Sequence, residues 1–461
     1  MKRSEYMSKL SEALEIFGED VKSEILEDYE EHYEIALQNG KSEEQISDEL
    51  GEIEELIKEL KKSESVIGCG YATSKKDSEC KENTYQSTDP NQTNDWNQSN
   101  DTNVMNDSNQ SNDMNLMNDK NQFNDTYQTW ANETKDNNFP RKVEVRSKFA
   151  HVEVVSSDDN QIHLDWVNYN ESKARDYYEF WSWVEGTTIY GGLSKKSLSS
   201  IFSVVFAQDI KIVVKIPKGF PEVEIISMSG DTVIQDVEVE SVKVNSASGD
   251  INVEHCISSQ MSLDTKSGEI ICKQSKQSNL YMDTKSSDIV FCDIQSTSIH
   301  TRSLSGDISG INFSGDTNVR TASGDIKVTN AFGKQFDISS ISGEVKVGRL
   351  QGETMRIATK SGDIEAEFFV ESCIASSISG DIELTNARES SLQTSSVSGD
   401  IEITCNGIGG YVADIHTISG MGTLRFGDRT EKNRGKGVFT YGTGTTKIKA
   451  KTTSGNIRIR G

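Results

Sequence analysis

Apolar and polar positions repeat along residues 228–461 with a period of 18 or 19 residues, and each period contains Ser-Gly-Asp or a close relative. Apolar residues stand two and four positions after the glycine of the triplet, as Ile251 and Val253 do. Others stand seven and five positions before it, as Val242 and Val244 do. This alternation predicts two strands joined by a tight turn at the triplet. A fixed period of this length predicts that each repeat is one structural unit stacked on its neighbours.

The predicted turn carries a glycine followed by an acidic residue, and a hydroxyl residue stands three positions before the glycine. Glycine reaches backbone conformations that a Cβ makes costly, and aspartate accepts hydrogen bonds from nearby backbone N–H groups. The predicted structural turn positions are Gly230, Asp231, Gly249, Asp250, Gly268, Gly306, Asp307, Gly324, Asp325, Gly343, Gly362, Asp363, Gly380, Asp381, Gly399 and Asp400. Weaker copies follow at residues 419–421 and 454–456. The hydroxyl column predicts a ladder of hydrogen bonds between coils.

Two strands of five or six residues and two turns account for a whole repeat, since a strand rises about 3.3 Å per residue. We therefore predict a mainly β fold, a two-sheet parallel β-solenoid of about 19 residues per coil. About a dozen coils spaced at about 4.8 Å would make a rod roughly 55 to 60 Å long. The solenoid is predicted over residues 228–461, and residues 139–227 are predicted to form an irregular N-terminal β region that caps it.

Residues 1–62 show helical spacing instead, with Tyr6, Leu10 and Leu14 on one face of the first segment. Ser42-Glu43-Glu44-Gln45 has the form of a capping box, which predicts the start of a later helix. The segment contains 8 Lys and Arg and 19 Asp and Glu, a net charge of −11. We predict a small all-α bundle close to the lower size limit of an independent domain.

Residues 63–138 are predicted to be a disordered linker. An asparagine stands at every third position from Asn91 to Asn124, which gives tandem Asn-x-x repeats. A hexapeptide solenoid is the alternative, but it would need an apolar residue at a constant position, and the sequence has none. A flexible tandem-repeat linker is therefore the preferred interpretation.

An aromatic cluster runs from Tyr177 to Trp183. Trp181 and Trp183 fall on one face of a predicted strand, and Tyr178 and Phe180 fall on the other. The preferred interpretation is a hairpin that plugs one end of the solenoid core. A surface that binds sugar, peptide or membrane is the alternative.

The whole chain has a formal net charge of −25 and a pI of about 4.7. These values argue against nucleic acid or anionic lipid as a partner, because either would need a basic face. Peripheral contact with a membrane or with the cell wall stays open as an alternative. The seven cysteines show no CxxC spacing, which favours unpaired thiols in a reducing compartment. The sequence shows neither the apolar core of a signal peptide nor a run of roughly 18 apolar residues. We expect a cytoplasmic protein, with the cell surface, reached by a non-standard route, as the alternative.

The sequence shows no catalytic pattern. Its six histidines share no repeat phase, and it has no nucleophile elbow, Walker loop or dinucleotide-binding glycine pattern. We predict that the protein is not an enzyme and has no catalytic residues, cofactor or metal. The stacked acidic residues leave calcium open as an alternative, because carboxylates in a column can share such an ion. Glu replaces Asp twice and the spacing differs from that of calcium-binding β-rolls, so a structural turn is the preferred interpretation.

Residues 1–62 resemble the HAAS-type signalling domain of bacterial envelope regulators. The resemblance rests on Ile25 to Tyr33 (ILEDYEEHY), on Gly40 to Glu44 (GKSEE) and on Glu49-Leu50-Gly51. The chain departs from such domains at Ile53, where they often carry proline. Members also often continue into transmembrane helices, which this sequence does not show. The resemblance implies a module that binds a protein partner, and membrane anchoring is not carried over.

Residues 140–461 resemble the bacterial β-strand-repeat family of proposed adhesins. The reiterated Ser-Gly-Asp-Ile pattern, the segment Val214 to Gly219 (VKIPKG) and the ending from Gly442 to Ile457 carry the resemblance. Relatives that join a small helical module to this repeat resemble parts of cell-envelope stress circuits in Gram-positive bacteria. The resemblance implies a non-enzymatic scaffold whose helical module binds a regulator and whose solenoid presents a recognition surface. A surface adhesin-like binding protein is the alternative, and a polysaccharide-active β-helix enzyme is the third.

Overall fold

The computed structural model describes residues 1–16, 42–50, 128–130, 139–167, 178–195 and 210–461, together with positions 22, 26, 29, 30, 33, 37, 53 and 57. Most of the predicted linker, residues 63–138, lies outside the described residues, as do most of residues 17–41 within the predicted all-α bundle. Within the segment predicted as linker, residues 128–130 form a strand.

The described part of the N-terminal module is helical. It contains α1 (Arg3–Ala13), a 3-10 turn (Leu14–Ile16) and α2 (Glu43–Leu50). The predicted capping box opens α2, since the Ser42 N–H donates to Gln45 Oε1 at 3.0 Å and the Gln45 N–H donates to Ser42 Oγ at 3.3 Å. The buried apolar core of this module contains Tyr6, Leu10, Leu14, Tyr29, Tyr33 and Ile46.

The remainder of the described chain is built from strands. The N-terminal strands are β1 (Gln128–Trp130), β2 (Lys142–Ser147), β3 (His151–Ser156), β4 (Ile162–Val167), β5 (Tyr178–Glu185), β6 (Thr188–Lys195), β7 (Lys211–Ile216), β8 (Phe220–Ser227) and β9 (Thr232–Gln235). The central strands are β10 (Glu238–Ser246), β11 (Ile251–Glu254), β12 (Ile257–Thr265), β13 (Ile270–Lys273), β14 (Lys276–Thr284), β15 (Ile289–Ser303), β16 (Ile308–Arg320), β17 (Ile326–Phe332), β18 (Gln335–Ser339), β19 (Val345–Ala358) and β20 (Ile364–Ser376). The C-terminal strands are β21 (Ile382–Asn386), β22 (Ser391–Ser396), β23 (Ile401–Cys405), β24 (Gly410–Thr417), β25 (Gly422–Phe426), β26 (Arg429–Asn433), β27 (Lys436–Gly442), β28 (Thr446–Thr452) and β29 (Ile457–Arg460).

The strands form two parallel stacks, sheet A before each Ser-Gly-Asp corner and sheet B after it. Val242 of β10 lies opposite Met261 of β12 in sheet A, and Ile251 of β11 lies opposite Ile270 of β13 in sheet B. These four residues are buried, and residues of both sheets form one apolar core. In β15, β16, β19 and β20 a single strand continues from sheet B into sheet A. The predicted two-sheet parallel β-solenoid is therefore confirmed.

The second corner of each coil, between sheet B and the next strand of sheet A, differs from the first. In seven coils the residue at this corner has a φ of 46 to 56° without being glycine. These residues are Asp236, His255, Gln274, Asp293, Asn312, Asn330 and Arg349. A left-handed conformation costs residues with a Cβ roughly 1 to 2 kcal/mol. Five of the seven are Asp, Asn or His, the types with a Cβ that adopt this conformation most readily, whereas Gln274 and Arg349 have no such preference. We infer that the stacking of the coils imposes the conformation on these two residues.

The spatial order of the coils departs from the chain order at both ends. β28 lies between β22 and β24, and β29 lies between β23 and β25. At the other end, β2 lies between β6 and β8, and β3 lies between β7 and β9. The expectation that the copies at residues 419–421 and 454–456 stack in chain order is therefore wrong. The coil with residues 454–456 lies between the coil with residues 398–400 and the coil with residues 419–421.

Antiparallel strands close both ends of the rod. β5 pairs with β6 and β4 pairs with β7 at the N-terminal end, while β27 pairs with β24 and β26 pairs with β25 at the C-terminal end. An unprotected strand edge exposes unpaired backbone groups that attract further strands. The inserted coils place these antiparallel strands outermost, so that the parallel stack does not end on an open repeat.

Candidate functional site

The glycines of the Ser-Gly-Asp corners lie directly against one another. A Cβ on Gly249 would lie 2.2 Å from the carbonyl oxygen of Gly230, and a Cβ on Gly324 would lie 2.0 Å from that of Gly306. Both distances are far below van der Waals contact. The close approach of successive coils, and not a positive φ, therefore favours glycine at these two positions.

The acidic residues after the glycines form a hydrogen-bonded ladder. Asp325 Oδ1 accepts the backbone N–H of Glu344 at 2.8 Å, and the Asp325 N–H donates to Asp307 Oδ1 at 2.8 Å. At 2.7 to 2.9 Å the same bond joins Asp231 to Asp250, Asp250 to Glu269, Asp288 to Asp307, Asp363 to Asp381 and Asp381 to Asp400. Glu269 and Glu344 donate their N–H groups to the preceding aspartate in the same way. Within the described residues, their own carboxylates do not accept the N–H of the next acidic residue.

The hydroxyl residues form a second ladder beside the acidic one. Thr321 Oγ1 donates to the Gly306 carbonyl at 3.1 Å and accepts the Gly324 N–H at 3.2 Å. Ser340 Oγ donates to the Gly324 carbonyl at 3.1 Å and accepts the Gly343 N–H at 2.8 Å. These two buried hydroxyls thus join their own coil to the preceding one, as the sequence predicts.

At the N-terminal end, Ala150 and His151 take the places of the glycine and the aspartate. A Cβ on Gly230 would lie 2.1 Å from the Ala150 carbonyl oxygen, and the Asp231 N–H donates to His151 Nδ1 at 3.1 Å. Residues 147–151 are therefore a degenerate copy of the repeat corner. The sequence analysis missed this copy because neither signature residue is present.

At the C-terminal end the ladder follows the spatial order of the coils. The Asn456 N–H donates to Asp400 Oδ1 at 2.7 Å, and the Met421 N–H donates to Asn456 Oδ1 at 3.1 Å. Asparagine both receives and passes on the bond. Methionine has no oxygen to pass it on, so the ladder ends at Met421.

The ladder alters the pKa values of its members in opposite directions. Hydrogen bonding to His151 lowers the pKa of Asp231 below its usual 3.8. Burial works to raise the pKa of Asp400, but Asn456 and Arg458 lower it overall. Groups with lowered pKa values stabilise the fold above their usual pKa and lose that contribution as the pH falls.

Burial raises the pKa of Asp250, and the neighbouring charge of Asp231 adds to the effect. Burial likewise raises the pKa of Glu269, followed by the charges of Asp250 and Asp288. For these two groups the effect of pH on stability has the opposite sign. Their ionisation weakens the fold, so stability falls as the pH rises through the folded pKa. The Asp250 carboxylate is therefore useful as a hydrogen-bond acceptor and unfavourable as a charge.

Asp250→Asn should leave the midpoint of urea unfolding at pH 7 unchanged or slightly raised. The amide oxygen still accepts the Glu269 N–H, and solvent screening limits the gain from the lost charge to about a few tenths of a kcal/mol. Asp250→Ala removes the acceptor and should cost about 1 kcal/mol. The difference between wild type and Asp250→Asn should shrink as the pH approaches 3.8, the usual pKa of aspartate. Equal losses for both variants would show that the charge itself stabilises the corner.

The described part of the chain contains no preformed metal site, since no group of three or more His, Cys, Asp or Glu residues there could hold an ion. Cys256, Cys272, Cys373 and Cys405 are free and buried, and burial raises their pKa values. Cys292 is disulfide-bonded, so the expectation of unpaired thiols is wrong for this residue. The absence of a cofactor stays a prediction.

The predicted aromatic cluster has two different faces. Tyr178 is 2% exposed and lies 4.8 Å from Phe149, and Phe180 packs against the core of the solenoid. On the other face of β5, the rings of Trp181 and Trp183 stack at 4.7 Å. One face of the strand therefore plugs the core, and the other faces outward.

The outward rings form an exposed aromatic surface. Trp183 is 50% exposed and stacks on Tyr190 at 5.5 Å. The Arg146 guanidinium lies 5.8 Å from the Tyr190 ring centre and 2.5 Å from Glu144. We name Trp181, Trp183 and Tyr190 the aromatic face. Aromatic side chains with one face open are typical of binding surfaces for protein or sugar.

Tyr178→Ala and Trp183→Ala should differ sharply in stability. The first removes a buried ring and should cost about 3 kcal/mol or more. The second removes a ring that is half exposed and should cost about 1 kcal/mol or less. Urea unfolding of both variants tests this assignment. A large loss of stability for Trp183→Ala would show that the outward rings also help to close the core.

Family comparisons agree with this architecture. The Toastrack DUF4097 model matches residues 141–313 and 295–460, and the HAAS model matches residues 5–59. No curated protein matches the chain. In the described residues no helix has the length and apolarity needed to span a membrane.

A solved structure of a proposed cell adhesion protein from Clostridium sporogenes ATCC 15579 has 9% sequence identity, covering 72% of this chain and 98% of that chain, with a TM-score of 0.19. The resemblances stated from the sequence, to a HAAS domain and to a bacterial β-strand-repeat family, are confirmed by the two family matches. Since the paired matches span more than half of its length, the chain belongs to the Toastrack DUF4097 family.

Proposed function

We propose that this protein is a non-enzymatic regulatory scaffold in bacterial cell-envelope stress signalling. One observation carries the proposal: the polar residues that recur in every coil are engaged in bonds between coils, as Asp325 and Thr321 are. Repeated hydroxyls and carboxylates used in this way serve the rod and not a reaction. The rod is then a rigid support whose outer surface is free to vary.

The helical module supplies the regulatory contact in this proposal. Its core is filled, yet Ile16 is 57% exposed and Leu37 is 37% exposed. Both stand in a segment, residues 1–62, with a net charge of −11. Exposed apolar side chains within an acidic surface fit a protein partner with an apolar centre and a basic rim.

The aromatic face favours a second candidate function, an adhesin-like binding protein. Trp181, Trp183 and Tyr190 offer stacked rings at one end of a rod. In the scaffold proposal this face recognises the signal, and in the adhesin proposal it binds a surface ligand. The two functions differ in where the protein works, so location separates them.

The test uses the full chain in its bacterial host, with a reporter of envelope stress. Ile16→Asp with Leu37→Asp should abolish regulation of the reporter and cross-linking to the regulator, while the solenoid unfolds as in wild type. Ile257→Asp with Ile378→Asp, which alters two exposed apolar residues of the rod, serves as the matched control for the helical contact. Normal regulation by the double variant would refute the scaffold proposal. Protein found only outside unlysed cells would favour the adhesin.

A further inference from the structure

The charge of the chain is strongly uneven. Residues 406–461 contain ten Lys and Arg and three Asp and Glu, a net charge of +7 in a chain whose total is −25. In the fold these residues, which include the inserted coil β28–β29, build the C-terminal end of the rod. The average charge therefore conceals a basic end.

Lysines occupy the outer face of sheet A at this end. Lys447, Lys449 and Lys451 alternate with buried residues along β28, so they point outward about 6.6 Å apart. Across the strands, Lys451 lies beside His416, and His416 lies beside Lys436 of β27. Within the described chain no carboxylate approaches the amino groups of these four lysines to within 4.0 Å.

Exposed apolar side chains accompany the lysines. Ile418 is 71% exposed and Val438 is 64% exposed, the two highest values among the large apolar side chains of the described residues. Ile418 follows His416 by two residues at the corner, and Val438 follows Lys436 by two residues on β27. We name Lys436, Lys447, Lys449, Lys451, Ile418 and Val438 the basic tip.

The acidic ladder loses its charge where it reaches the basic tip. Its last two members are Asn456 and Met421. The carboxylate before them, Asp400, lies 3.1 Å from the Arg458 guanidinium. A partner that approaches the basic tip therefore does not meet the row of carboxylates that lines the rest of the corner.

We propose that the basic tip docks the rod on an anionic lipid bilayer. Lysine amino groups on one face contact anionic headgroups, and long lysine side chains reach the headgroup level while their methylenes lie in the interface. Ile418 and Val438 enter the boundary between headgroups and acyl chains, where apolar side chains are more stable than in water.

A soluble polyanion fits the basic tip less well. It offers no apolar environment for Ile418 and Val438. Single-stranded nucleic acid gains much of its affinity by stacking bases on exposed aromatic rings. The aromatic side chains beneath this face, Tyr411 and Tyr441, are 0% and 3% exposed and thus are not available for stacking.

The first arm of the test measures flotation of the full chain with phosphatidylcholine vesicles that contain about 30 mol % phosphatidylglycerol, or none. Wild type should float with the anionic vesicles at about 0.05 M salt and detach at about 0.5 M salt. Lys447→Glu with Lys449→Glu and Lys451→Glu should weaken binding roughly 100-fold, since each surface lysine contributes about fivefold.

A matched control changes the net charge equally elsewhere. Lys266→Glu with Lys285→Glu and Lys360→Glu alters three exposed lysines near the acidic corner and should reduce binding much less. Equal losses for the two triple variants, or no flotation of wild type at low salt, would overturn the proposal. Thermal unfolding of each variant shows that the fold is intact.

The second arm separates lipid from a soluble polyanion. Ile418→Asn with Val438→Thr retains every charge and should reduce vesicle binding about tenfold, because apolar burial in the interface is lost. The same variant should bind heparin as wild type does. Unchanged vesicle binding by this variant, with heparin competing fully, would replace the bilayer by a soluble polyanion as the ligand.

Discussion

Gly324→Ala should destabilise the solenoid by about 3 kcal/mol or more, an effect far above that of a typical surface substitution. The added Cβ would lie 2.0 Å from the Gly306 carbonyl oxygen and 2.4 Å from its carbon. Both are backbone atoms, so no side-chain rotation relieves the overlap. The coils would have to separate at the corner, which breaks both ladders at once. Urea unfolding followed by circular dichroism measures the loss.

Gly348→Ala is the matched control for this substitution. A Cβ there would meet nothing closer than the Thr329 Cγ2 at 3.7 Å. Alanine in a strand costs less chain entropy than glycine, so the variant should be unchanged or more stable by about 0.5 kcal/mol. Ser287 occupies the glycine position naturally in one coil, where its hydroxyl bonds to the Ser267 carbonyl. If Gly324→Ala were as mild as Gly348→Ala, the corners would be more adaptable than the contacts indicate.

Removal of residues 446–461 should unfold the C-terminal end of the rod and not merely shorten it. The deletion takes away β28 and β29, which lie inside the stack and support β24 and β25. It also removes the buried side chains of Ile448, Ile457 and Ile459. Three such side chains contribute about 5 to 9 kcal/mol, comparable with the total stability of many domains.

Amide hydrogen exchange measures the result of this deletion. In wild type the amides of β24 should be protected, and in the truncated chain they should exchange at the rate of unfolded peptide. Protection of β10 and β12, which lie far from the deletion, serves as the internal control. Full protection of β24 in the truncated chain would contradict an internal position for β28.

The apolar pattern was sufficient to predict the coil. Alternation before and after each glycine, as at Val242 and Ile251, placed two strands and a turn in every repeat, because a half-buried strand must alternate. The turn glycines and the hydroxyl column were also predicted, because both make contacts that recur from coil to coil. Local periodicity is thus enough when each unit meets an equivalent neighbour.

The order of the coils could not be predicted from periodicity. The inserted coil has the same alternation as its neighbours, so either position in the stack would bury the same residues. One signal was present in the sequence. Met421 lacks a side-chain oxygen to extend the acidic ladder, whereas Asn456 has one, so the order with Met421 last retains one more ladder bond. Finding that signal requires knowing that the ladder exists.

Two further features depend on the three-dimensional arrangement. The positive φ at the second corner extends to Gln274 and Arg349, residue types that have no local tendency toward it. The total charge predicted no basic surface, because acidic segments such as residues 1–62 outweigh the C-terminal end in the sum. Only the fold brings Lys436 and Lys451 to the same face.

Disulfide formation between engineered cysteines tests the interlocked stack of coils most directly. Ser395 of β22 lies opposite Lys451 of β28, and His416 of β24 lies on the far side of Lys451. Neighbouring strands are about 4.8 Å apart, within reach of a disulfide, and alternate strands are about 9.6 Å apart, beyond it. Burial raises the pKa of Cys405 to about 12, which keeps this nearby native thiol unreactive.

Peptide mapping after mild oxidation should find the bond in the Ser395→Cys, Lys451→Cys variant and not in the Ser395→Cys, His416→Cys variant. That result would place the C-terminal coil between its two predecessors. The opposite result, with the second pair joined and the first pair reduced, would mean that the coils stack in chain order and would contradict the account.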